Sequence, residues 1–464
     1  MIRLFLVWCV CGVLLFGVSL GTYNVENLFD ATHQGSEYEE YIPGKFGWDE
    51  AMAKKKFDNT LSVIRALDVD ILALQEVENE ALMHALAHAL SYPYSVFTKP
   101  SHSATGVGVL SRYPLGQSRA LPLEGGRWRE MLWVEVYING EVLELVNVHW
   151  PSLRNPKEER LKAANVLKAF VQGRENSILL GDFNDPLGPE SVLSQTLGRL
   201  EVREGWFDPW FTQKERWSHD FFGNKQALDR IILGQGLLRG EGLVLERGSF
   251  EVFSRFSTKH GSPLRWERRN KGKGVHVGKG YSDHFPLKLT LTTAPQLAPK
   301  PAESEALFNA KEGNVSLLLT GMTVMYVHDE GMVLGKDGRG IYVYKPGFVL
   351  ELGEVVDVWV HALKTFQGMR EIVALHVEKI LPQKGDIYAH MLPKNAFEKA
   401  RAGDVLREVE GVVKQGRLVS KEGSMRIYAK HKERLPKEGE HVRLERVRVG
   451  MYGGQKELML EERK

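Results

Sequence analysis

Four polar residues of this sequence follow apolar runs, at points where a buried strand would end: Glu76, His149, Asp182 and Asn184. At a strand end the sheet fixes the backbone while the side chain leaves the core, so a sheet protein can gather its chemistry there. Further acid, amide and imidazole side chains complete a dispersed set: Asn24, Asp229, Asp283 and His284.

These side-chain types suit the hydrolysis of phosphate esters. That reaction needs a cation that neutralises phosphate oxygens, a base that activates water, and donors that hold the developing negative charge. Mg²⁺ prefers oxygen ligands and keeps several waters, so one or two carboxylates suffice. Taken singly, Asp and His residues at strand ends are more often caps or salt-bridge partners than functional residues, so the hypothesis depends on local sequence context.

The elements that must position these residues alternate between helices and strands. Helices are predicted at residues 49–67, with Asp49 as the N-cap, at 78–90 and at 157–171. Apolar strands are predicted at 69–77, 106–111, 131–137, 142–149, 177–181, 228–233 and 285–291. This alternation predicts an α/β domain whose sheets are covered by helices.

The C-terminal part contains a weak internal repeat, in which residues 332–358 match residues 418–444. Each unit has short strands separated by a Lys-Asp-Gly or Lys-Glu-Gly turn, and such spacing predicts two small β-barrels that resemble OB-fold modules. We predict a Pro- and Ala-rich linker at 294–305, one OB-like module at 306–384 and a second at 405–464. Most of their aromatic side chains are expected in the barrel cores, and base stacking is the alternative: Tyr342, Tyr344, Trp359 and Tyr428.

The composition is that of an ordinary globular chain of two or three domains: 464 residues, 43% hydrophobic and 26% charged. The formal net charge of +2 gives no global basic field, so an argument for nucleic-acid binding must rest on local patches. The two cysteines, Cys9 and Cys11, both lie in the N-terminal apolar run, which excludes a disulfide framework in the folded body.

Residues 1–21 have the features of a secretory signal peptide: Arg3, an apolar run from Leu4 to Leu20, and small residues near Gly21. The alternatives are a retained membrane anchor and a buried strand or helix. We expect the leader to be removed and the mature chain to be secreted or periplasmic, with membrane contact only if the leader is kept.

Seven segments resemble, in order, the motifs of the endonuclease/exonuclease/phosphatase (DNase I-like) superfamily: residues 22–30 (TYNVENLFD), 74–77 (LQEV), 106–112 (GVGVLSR), 146–150 (VNVHW), 180–185 (LGDFND), 227–233 (ALDRIIL) and 282–284 (SDH). The ordered set covers residues 22–290 and is highly specific. The resemblance implies a catalytic domain at 22–293, built as a two-sheet α/β sandwich with the active site at one end.

The resemblance also implies a metal site. Glu76 would be the main Mg²⁺ ligand, with Asn24 and Asp283 close to the metal, and Mn²⁺ or Ca²⁺ are alternative ions. Asp182 and Asn184 would position the nucleophile and the scissile phosphate.

Two histidines complete the implied site. His284 would contact the phosphate or activate water, with Asp229 holding its imidazole, and His149 matches a second acid/base histidine. An adjacent carboxylate favours the imidazolium form, so the pKa of His284 is expected above its ordinary value of about 6.5.

The candidate substrate-binding residues are basic: Arg129, Arg154, Arg268, Arg269 and Lys271. Arg154 follows a His-Trp-Pro-Ser segment, where phosphate clamping and a solvated loop arginine are equally good readings. The last three lie in a basic insertion at 255–279 that also carries aromatic residues. Such an insertion suits a polyanionic substrate, and the alternative is a flexible, soluble loop.

The leading hypothesis is therefore a secreted nuclease acting on DNA or RNA, whose OB-like modules help to retain the polymer; no protein partner is implied. A phosphatase or phospholipase acting on inositol phosphates or sphingomyelin is the first alternative, because relatives on one fold change substrate through loops. A non-catalytic nucleic-acid-binding protein is the second, and the intact set of catalytic positions argues against it.

Overall fold

A computed structural model describes residues 17–123, 129–239, 242–294 and 301–461, and of Lys271 the backbone alone. The strands up to residue 292 are β1 (Gly17–Leu28), β2 (Ile71–Val77), β3 (Tyr94–Thr98), β4 (Gly106–Ser111), β5 (Leu115–Leu121), β6 (Met131–Ile138), β7 (Glu141–His149), β8 (Ser177–Asp182), β9 (His219–Phe221), β10 (Asn224–Gln226), β11 (Asp229–Leu233), β12 (Val244–Leu245), β13 (Glu251–Val252) and β14 (Leu287–Thr292). The helices are α1 (Glu50–Leu67), α2 (Glu80–Leu90), α3 (Lys157–Val171), α4 (Val192–Leu197) and α5 (Arg269–Gly272). In these ranges no helix is both long and apolar enough to cross a membrane.

Two sheets pack face to face. The first has the order β12-β14-β1-β2-β4-β3, with β13 also paired to β14, and the second has the order β11-β8-β7-β6-β5. Their inner faces form one apolar cluster, in which Leu20 and Leu289 of the first sheet join Leu145 and Leu180 of the second. Helices α1 and α2 cover the outer face of the first sheet, and α3 and α4 that of the second. This is the predicted two-sheet α/β sandwich.

Helix α1 shows how local sequence sets an element. The Asp49 side chain accepts a hydrogen bond from the Met52 N–H at 2.8 Å, as an N-cap does. Leu61, Ile64 and Leu67 recur at helical spacing and are buried against the sheet. The helix then ends at Asp68, whose φ of 47° is left-handed. The helix predicted at 49–67 is confirmed.

Strand β1 begins inside the segment predicted as the leader. Val18 and Leu20 are 0% exposed, and residues 17–22 pair with β14. The Ser19 hydroxyl donates to the Asp70 carboxylate at 2.7 Å, which ties β1 to the start of β2. Residues 17–21 are thus part of the central strand of the first sheet.

The C-terminal region consists of α6 (Ala306–Asn309) and two barrels. The first contains β15 (Gly313–His328), β16 (Gly331–Lys336), β17 (Arg339–Tyr344), β18 (Val355–Phe366) and β19 (Met369–Leu381), and the second contains β20 (Val405–Lys414), β21 (Arg417–Ser420), β22 (Gly423–Ala429), β23 (His441–Tyr452) and β24 (Gln455–Leu460). Each closes in the order first-second-third-fifth-fourth strand, with a parallel pair between the third and the fifth. This repeated order fits small OB-like barrels, as the sequence predicted.

The aromatic residues singled out in the barrels divide into two groups. Tyr342 and Trp359 are buried, as expected for barrel core. Tyr428 is 41% exposed and therefore lies outside the core, and Tyr344 is intermediate. In β22 the residue alternates with buried neighbours, which places its ring on the outer face.

The first barrel packs directly on the predicted catalytic domain (residues 22–293), called the catalytic region below. One apolar cluster contains both Leu193 of α4 and Val358 of β18. The backbone N–H of Arg203 donates to the Val377 carbonyl at 3.0 Å, and Arg199 pairs with Glu354 at 2.8 Å. The barrel and the catalytic region are therefore joined by a packed interface and not only by the connecting segment.

Candidate active site

The predicted site residues converge because several strands end at one edge of the sandwich. Strands β7 and β8 run parallel, with His149 paired to Asp182, and Asp229 lies opposite Asp182 on antiparallel β11. Gly181 permits this approach, since a Cβ atom there would lie 2.1 Å from the Val148 carbonyl oxygen. The sheet geometry thus brings together His149, Asp182 and Asp229, which are up to 80 positions apart in the sequence.

Asn24 links the two sheets at this edge. Its side-chain amide donates to Glu76 Oε1 at 3.2 Å and to Asp182 Oδ2 at 3.1 Å. Glu76 lies at an irregularity between β2 and β4, with a left-handed φ of 64°. Such a bulge re-aims a side chain, and here the Glu76 carboxylate also accepts the backbone N–H of Asn27 at 2.9 Å. Glu76 and Asp182 are therefore held side by side.

His149 lies between these two carboxylates. Its Nε2 is 3.6 Å from Glu76 Oε1 and 3.6 Å from Asp182 Oδ2. Arg129 approaches the same nitrogen at 3.5 Å while it donates to Tyr38 and Thr105. Burial, followed by the charges of Arg129 and His284, lowers the pKa of His149 well below its ordinary value. This imidazole is therefore neutral near pH 7.

His284 has the opposite environment. Its Nδ1 lies 2.8 Å from Asp229 Oδ2, and that oxygen also accepts the Ser218 hydroxyl at 2.6 Å. Burial alone would lower the pKa of His284, but Asp229, Asp182 and Asp283 outweigh it and raise that pKa well above the ordinary value. The predicted contact and the predicted direction of the shift are both confirmed.

Asp182 faces both imidazoles. His149 Nε2 lies 3.6 Å and His284 Nε2 4.0 Å from its Oδ2. Its other oxygen accepts the backbone N–H of Asn184 at 2.9 Å, and the Asn184 side chain is held by the Trp150 carbonyl at 3.1 Å. Burial is the main reason that the pKa of Asp182 is raised to about 6. The carboxyl group can therefore exchange a proton near neutral pH.

Asp283 stands beside two residues that were not among the predicted site residues. His219 Nε2 lies 3.8 Å and Arg265 Nη2 3.4 Å from its Oδ2, and His284 Nε2 lies 3.8 Å from its Oδ1. Burial acts to raise the pKa of Asp283, but His219, His284 and Arg265 together hold it below the ordinary value. No sequence motif distinguishes His219, which enters the site through its own hairpin.

A network of charged side chains lies next to Asp283. Arg265 also pairs with Glu26 at 3.0 Å, and Lys56 donates to the Val25 carbonyl at 2.8 Å and to the Tyr281 carbonyl. Burial raises the pKa of Glu26 to about 7 and lowers that of Lys56 to about 8. Lys56 could have been noticed from sequence, because it occupies the apolar face of α1.

The cleft offers two places for a cation. Glu76, Asp182 and Asp283 present carboxylate oxygens, which suit a hard divalent ion such as Mg²⁺. Asn24 directs its amide nitrogen towards Glu76 and Asp182, and its oxygen accepts the backbone N–H of Glu26 at 3.0 Å. His219, Asp283 and His284 present ligand atoms that lie within 4.8 Å of one another. Mg²⁺ is a hard cation that prefers oxygen ligands to imidazole nitrogen. The donor chemistry therefore fits the oxygen-rich place better.

The basic candidates have different environments. Arg129 reaches into the site beside His149, whereas Arg154 is exposed on its loop and lies 5.8 Å from the Phe221 ring. Arg268 pairs with Glu40 at 2.8 Å and donates to the Gly274 carbonyl, so it holds the insertion together. Arg269 is exposed, and the side chain of Lys271 lies outside the described part of the chain.

The insertion as a whole packs on the catalytic region. Trp266 is 2% exposed and lies in a cluster with Trp48 and Phe29. The His276 ring also packs against Trp48, with centroids 4.8 Å apart. These contacts argue against a loose solvated loop in this part of the insertion.

Comparison with known proteins settles the family. The profile described as the Endonuclease/Exonuclease/phosphatase family matches residues 21–284, more than half of the 464-residue chain. The chain belongs to this family. Members of the Endonuclease/Exonuclease/phosphatase family hydrolyse phosphoric esters, usually with a divalent metal, and this chain is such a hydrolase. A comparison with curated proteins finds no significant match.

Several solved structures are similar to this chain at low sequence identity. A humanized TDP2 of D. rerio is 18% identical, with 59% of this chain and 98% of that chain covered and a TM-score of 0.41. An endonuclease/exonuclease/phosphatase family protein from Bacteroides thetaiotaomicron is 12% identical, covering 60% and 99%, with a TM-score of 0.41. Sphingomyelinase C from Streptomyces griseocarneus is 16% identical, covering 59% and 99%, with a TM-score of 0.39.

Proposed function

We propose that this hydrolase is a secreted, Mg²⁺-dependent phosphodiesterase that cleaves DNA or RNA as an endonuclease. The observation that carries the catalytic part is the pair of imidazoles around Asp182. Their environments move the two pKa values in opposite directions, so one ring is neutral and the other is a cation in the same cleft. Titratable groups whose pKa values are pushed apart are the usual mark of separate acid and base roles.

The metal would be held mainly by Glu76, with Asn24 and Asp283 close to it, and Mn²⁺ or Ca²⁺ are alternatives. A bound divalent ion polarises a phosphoryl oxygen and lowers the pKa of its water. The carboxylates of Glu76, Asp182 and Asp283 lie around the same two imidazoles, and carboxylate oxygens are the ligands that such an ion prefers.

The chain's own residues supply the proton transfers. Asp182, fixed by Asn24 and by the Asn184 N–H, orients the attacking water and accepts its proton. His284, charged and held by Asp229, would donate its Nε2–H to the phosphate. His149 serves as the second acid/base group, because its neutral Nε2 faces the same carboxylates.

The preference for a polynucleotide rests on the basic side chains around the cleft. Arg129 lies within it, Arg265 borders Asp283, and Arg154 is exposed beside it on the loop that follows His149. Basic side chains that line a groove can contact successive phosphates of a nucleic-acid backbone. The two barrels would extend the contact with a long polymer.

Secretion rests on the sequence of the leader, of which residues 1–16 lie outside the described part of the chain. Because Val18 and Leu20 belong to β1, we place removal of the leader ahead of Val18.

A substrate panel tests the proposal. The purified chain from Gly17 would be incubated with circular single-stranded DNA, RNA, sphingomyelin and inositol phosphates, each with Mg²⁺ and with EDTA. We expect cleavage of a polynucleotide, including the circular molecule, with Mg²⁺ only. Hydrolysis of sphingomyelin or inositol phosphates with both polymers intact would replace the nuclease assignment and leave the hydrolase assignment in place.

A further inference from the structure

A short hairpin beside the site carries two exposed aromatic residues. Strands β9 and β10 are joined by the two-residue turn Phe222-Gly223, with Phe221 paired to Asn224. Both turn residues have left-handed backbones, with φ of 52° at Phe222 and 93° at Gly223. This is the signature of a type I′ turn, whose first position favours Asn, Asp or Gly.

Phe222 is unfavourable at this position in two independent ways. A bulky residue with a positive φ is strained, and the side chain is 65% exposed to water. Phe221 is 41% exposed, and the two rings meet edge to face with centroids 4.8 Å apart. Because both rings are largely exposed, they bury little apolar surface and add little to the stability of the fold. Stability of the hairpin therefore does not explain why two phenylalanines occur here.

The hairpin begins inside the catalytic cleft. His219, two residues before Phe221 on the same strand face, reaches to 3.8 Å from Asp283 and pairs through its backbone with His284. The rings of His219 and Phe221 are nearly parallel, at 10°, with centroids 6.4 Å apart. Phe221 therefore lies next to the place where the scissile phosphate would bind.

Each exposed ring has an arginine over it. The guanidinium carbon of Arg154 lies 5.8 Å from the Phe221 ring centroid, and that of Arg265 lies 5.4 Å from the Phe222 ring centroid. Arg265 is paired with Glu26 and Asp283, whereas Arg154 has no carboxylate partner among the described residues. Aromatic faces next to an unpaired cation complement a ligand that alternates planar bases with phosphates.

Resting on the proposed function, we propose that Phe221 and Phe222 form a stacking platform for bases next to the scissile phosphate of a single-stranded nucleic acid. Arg154 contacts the adjoining phosphate. The platform makes the enzyme prefer single strands, because a base in a duplex is already stacked and paired and must be released before it can stack on an aromatic ring. Insertion of the same rings into a lipid bilayer would bring two guanidinium groups out of water, which is costly.

The test uses Phe222→Asn, which installs a residue that the turn prefers and removes the ring. Tyr137→Asn is the control: Tyr137 is 44% exposed but pairs with Val142, at the end of β6 and β7 away from the cleft. We expect Phe222→Asn to raise KM for a single-stranded octanucleotide about 10-fold, the scale of losing one stacked base, with a melting temperature that does not fall. Phe222→Trp should restore KM, and kcat/KM for methyl p-nitrophenyl phosphate should be unchanged in all variants.

Three results would overturn the inference. Wild-type cleavage of the octanucleotide with an unchanged KM in Phe222→Asn would reject the platform alone. The platform would also be rejected if Phe222→Asn bound phosphatidylcholine vesicles more weakly than the wild type but had unchanged octanucleotide kinetics. That result would indicate that the two rings bind lipid. Wild-type hydrolysis of the small diester without cleavage of any polynucleotide would reject the proposed function as well.

Discussion

The Nδ1 atom of His284 lies 2.8 Å from Oδ2 of Asp229, at the bottom of the cleft. The Ser218 hydroxyl donates to the same oxygen at 2.6 Å, so the carboxylate is fixed from two sides. The other ring nitrogen of His284 is directed towards Asp182 and Asp283, at 4.0 and 3.8 Å. One buried carboxylate thus orients this imidazole and favours its charged form.

Asp229→Asn should therefore change the pH dependence of kcat/KM. Asp229 raises the pKa of His284, so the imidazolium persists to higher pH in the wild type. Without that charge the pKa falls, the ring loses its proton at lower pH, and the alkaline limb of the profile moves to lower pH. The measurement is kcat/KM for a small diester from pH 5 to 10. Movement of the acid limb instead would show that His284 acts as a neutral base.

Arg230 and Asp208 form an ion pair in which both side chains are 0% exposed. Arg230 also donates to the Asp185 carbonyl at 2.7 Å. Arg230→Met leaves the Asp208 carboxylate buried without its partner, so we expect a loss of about 3–5 kcal/mol in the free energy of unfolding, measured in urea. Arg239→Met is the matched control, because that arginine is 59% exposed, and it should change stability by less than about 0.5 kcal/mol. Similar effects of the two variants would contradict this account.

Glu378 of the first barrel faces His376 at 2.9 Å and two arginines of the catalytic region, Arg203 and Arg247. Burial would raise the pKa of Glu378, but these partners lower it to about 2. Because the folded pKa is below the unfolded value of about 4.3, the stabilisation is complete above that value and is lost as pH falls towards 2.

Glu378→Gln should accordingly make the unfolding free energy depend less steeply on pH between about 4.5 and 2. Glu251→Gln, at a side chain that is 53% exposed, is the control and should keep the wild-type slope. The measurement is urea denaturation at half-unit pH steps. If the plots of unfolding free energy against pH were parallel for wild type and Glu378→Gln, the ion pairs of Glu378 would not contribute to the pH dependence of stability.

The start of β1 gives a prediction about the mature chain. A chain that begins at Gly21 lacks Val18 and Leu20, each 0% exposed. Full burial of such side chains contributes about 1.5–3 kcal/mol each, so this chain should be roughly 3–6 kcal/mol less stable than one that begins at Gly17. A chain from Val18 should match the longer one, since Gly17 itself is exposed. Equal urea midpoints for the chains from Gly17 and Gly21 would contradict the role of residues 17–20 in the sheet.

The residues at strand ends could be predicted from sequence because an apolar run and the polar residue that follows it are local features. Glu76, His149 and Asp182 are examples, and parallel or antiparallel pairing then brings them together. His219 and Arg265 could not be predicted in this way. Their positions depend on a hairpin and an insertion that fold back over the site, and nothing in their immediate sequence reports that packing.

The start of β1 and the interface with the first barrel also could not be predicted from local sequence. Hydropathy alone gives one continuous apolar segment up to Leu20, and only the pairing with β14 separates residues 17–20 from it. Similarly, the repeat predicts two barrels, but the packing of Val377 beside Val202 depends on surfaces that are distant in sequence.

The most direct test of the central claim is the cleavage of circular plasmid DNA by the chain from Gly17, followed with Mg²⁺, with EDTA, and in three variants. We predict Mg²⁺-dependent nicking that is at least about 100-fold slower in Glu76→Gln and in His284→Ala. The third variant, Glu80→Gln, is the control: its side chain is 69% exposed on α2, four residues beyond Glu76, and it should keep the wild-type rate. Nicking in EDTA, or near-normal rates in both Glu76→Gln and His284→Ala, would contradict the assignment of this cleft as a metal-dependent nuclease site.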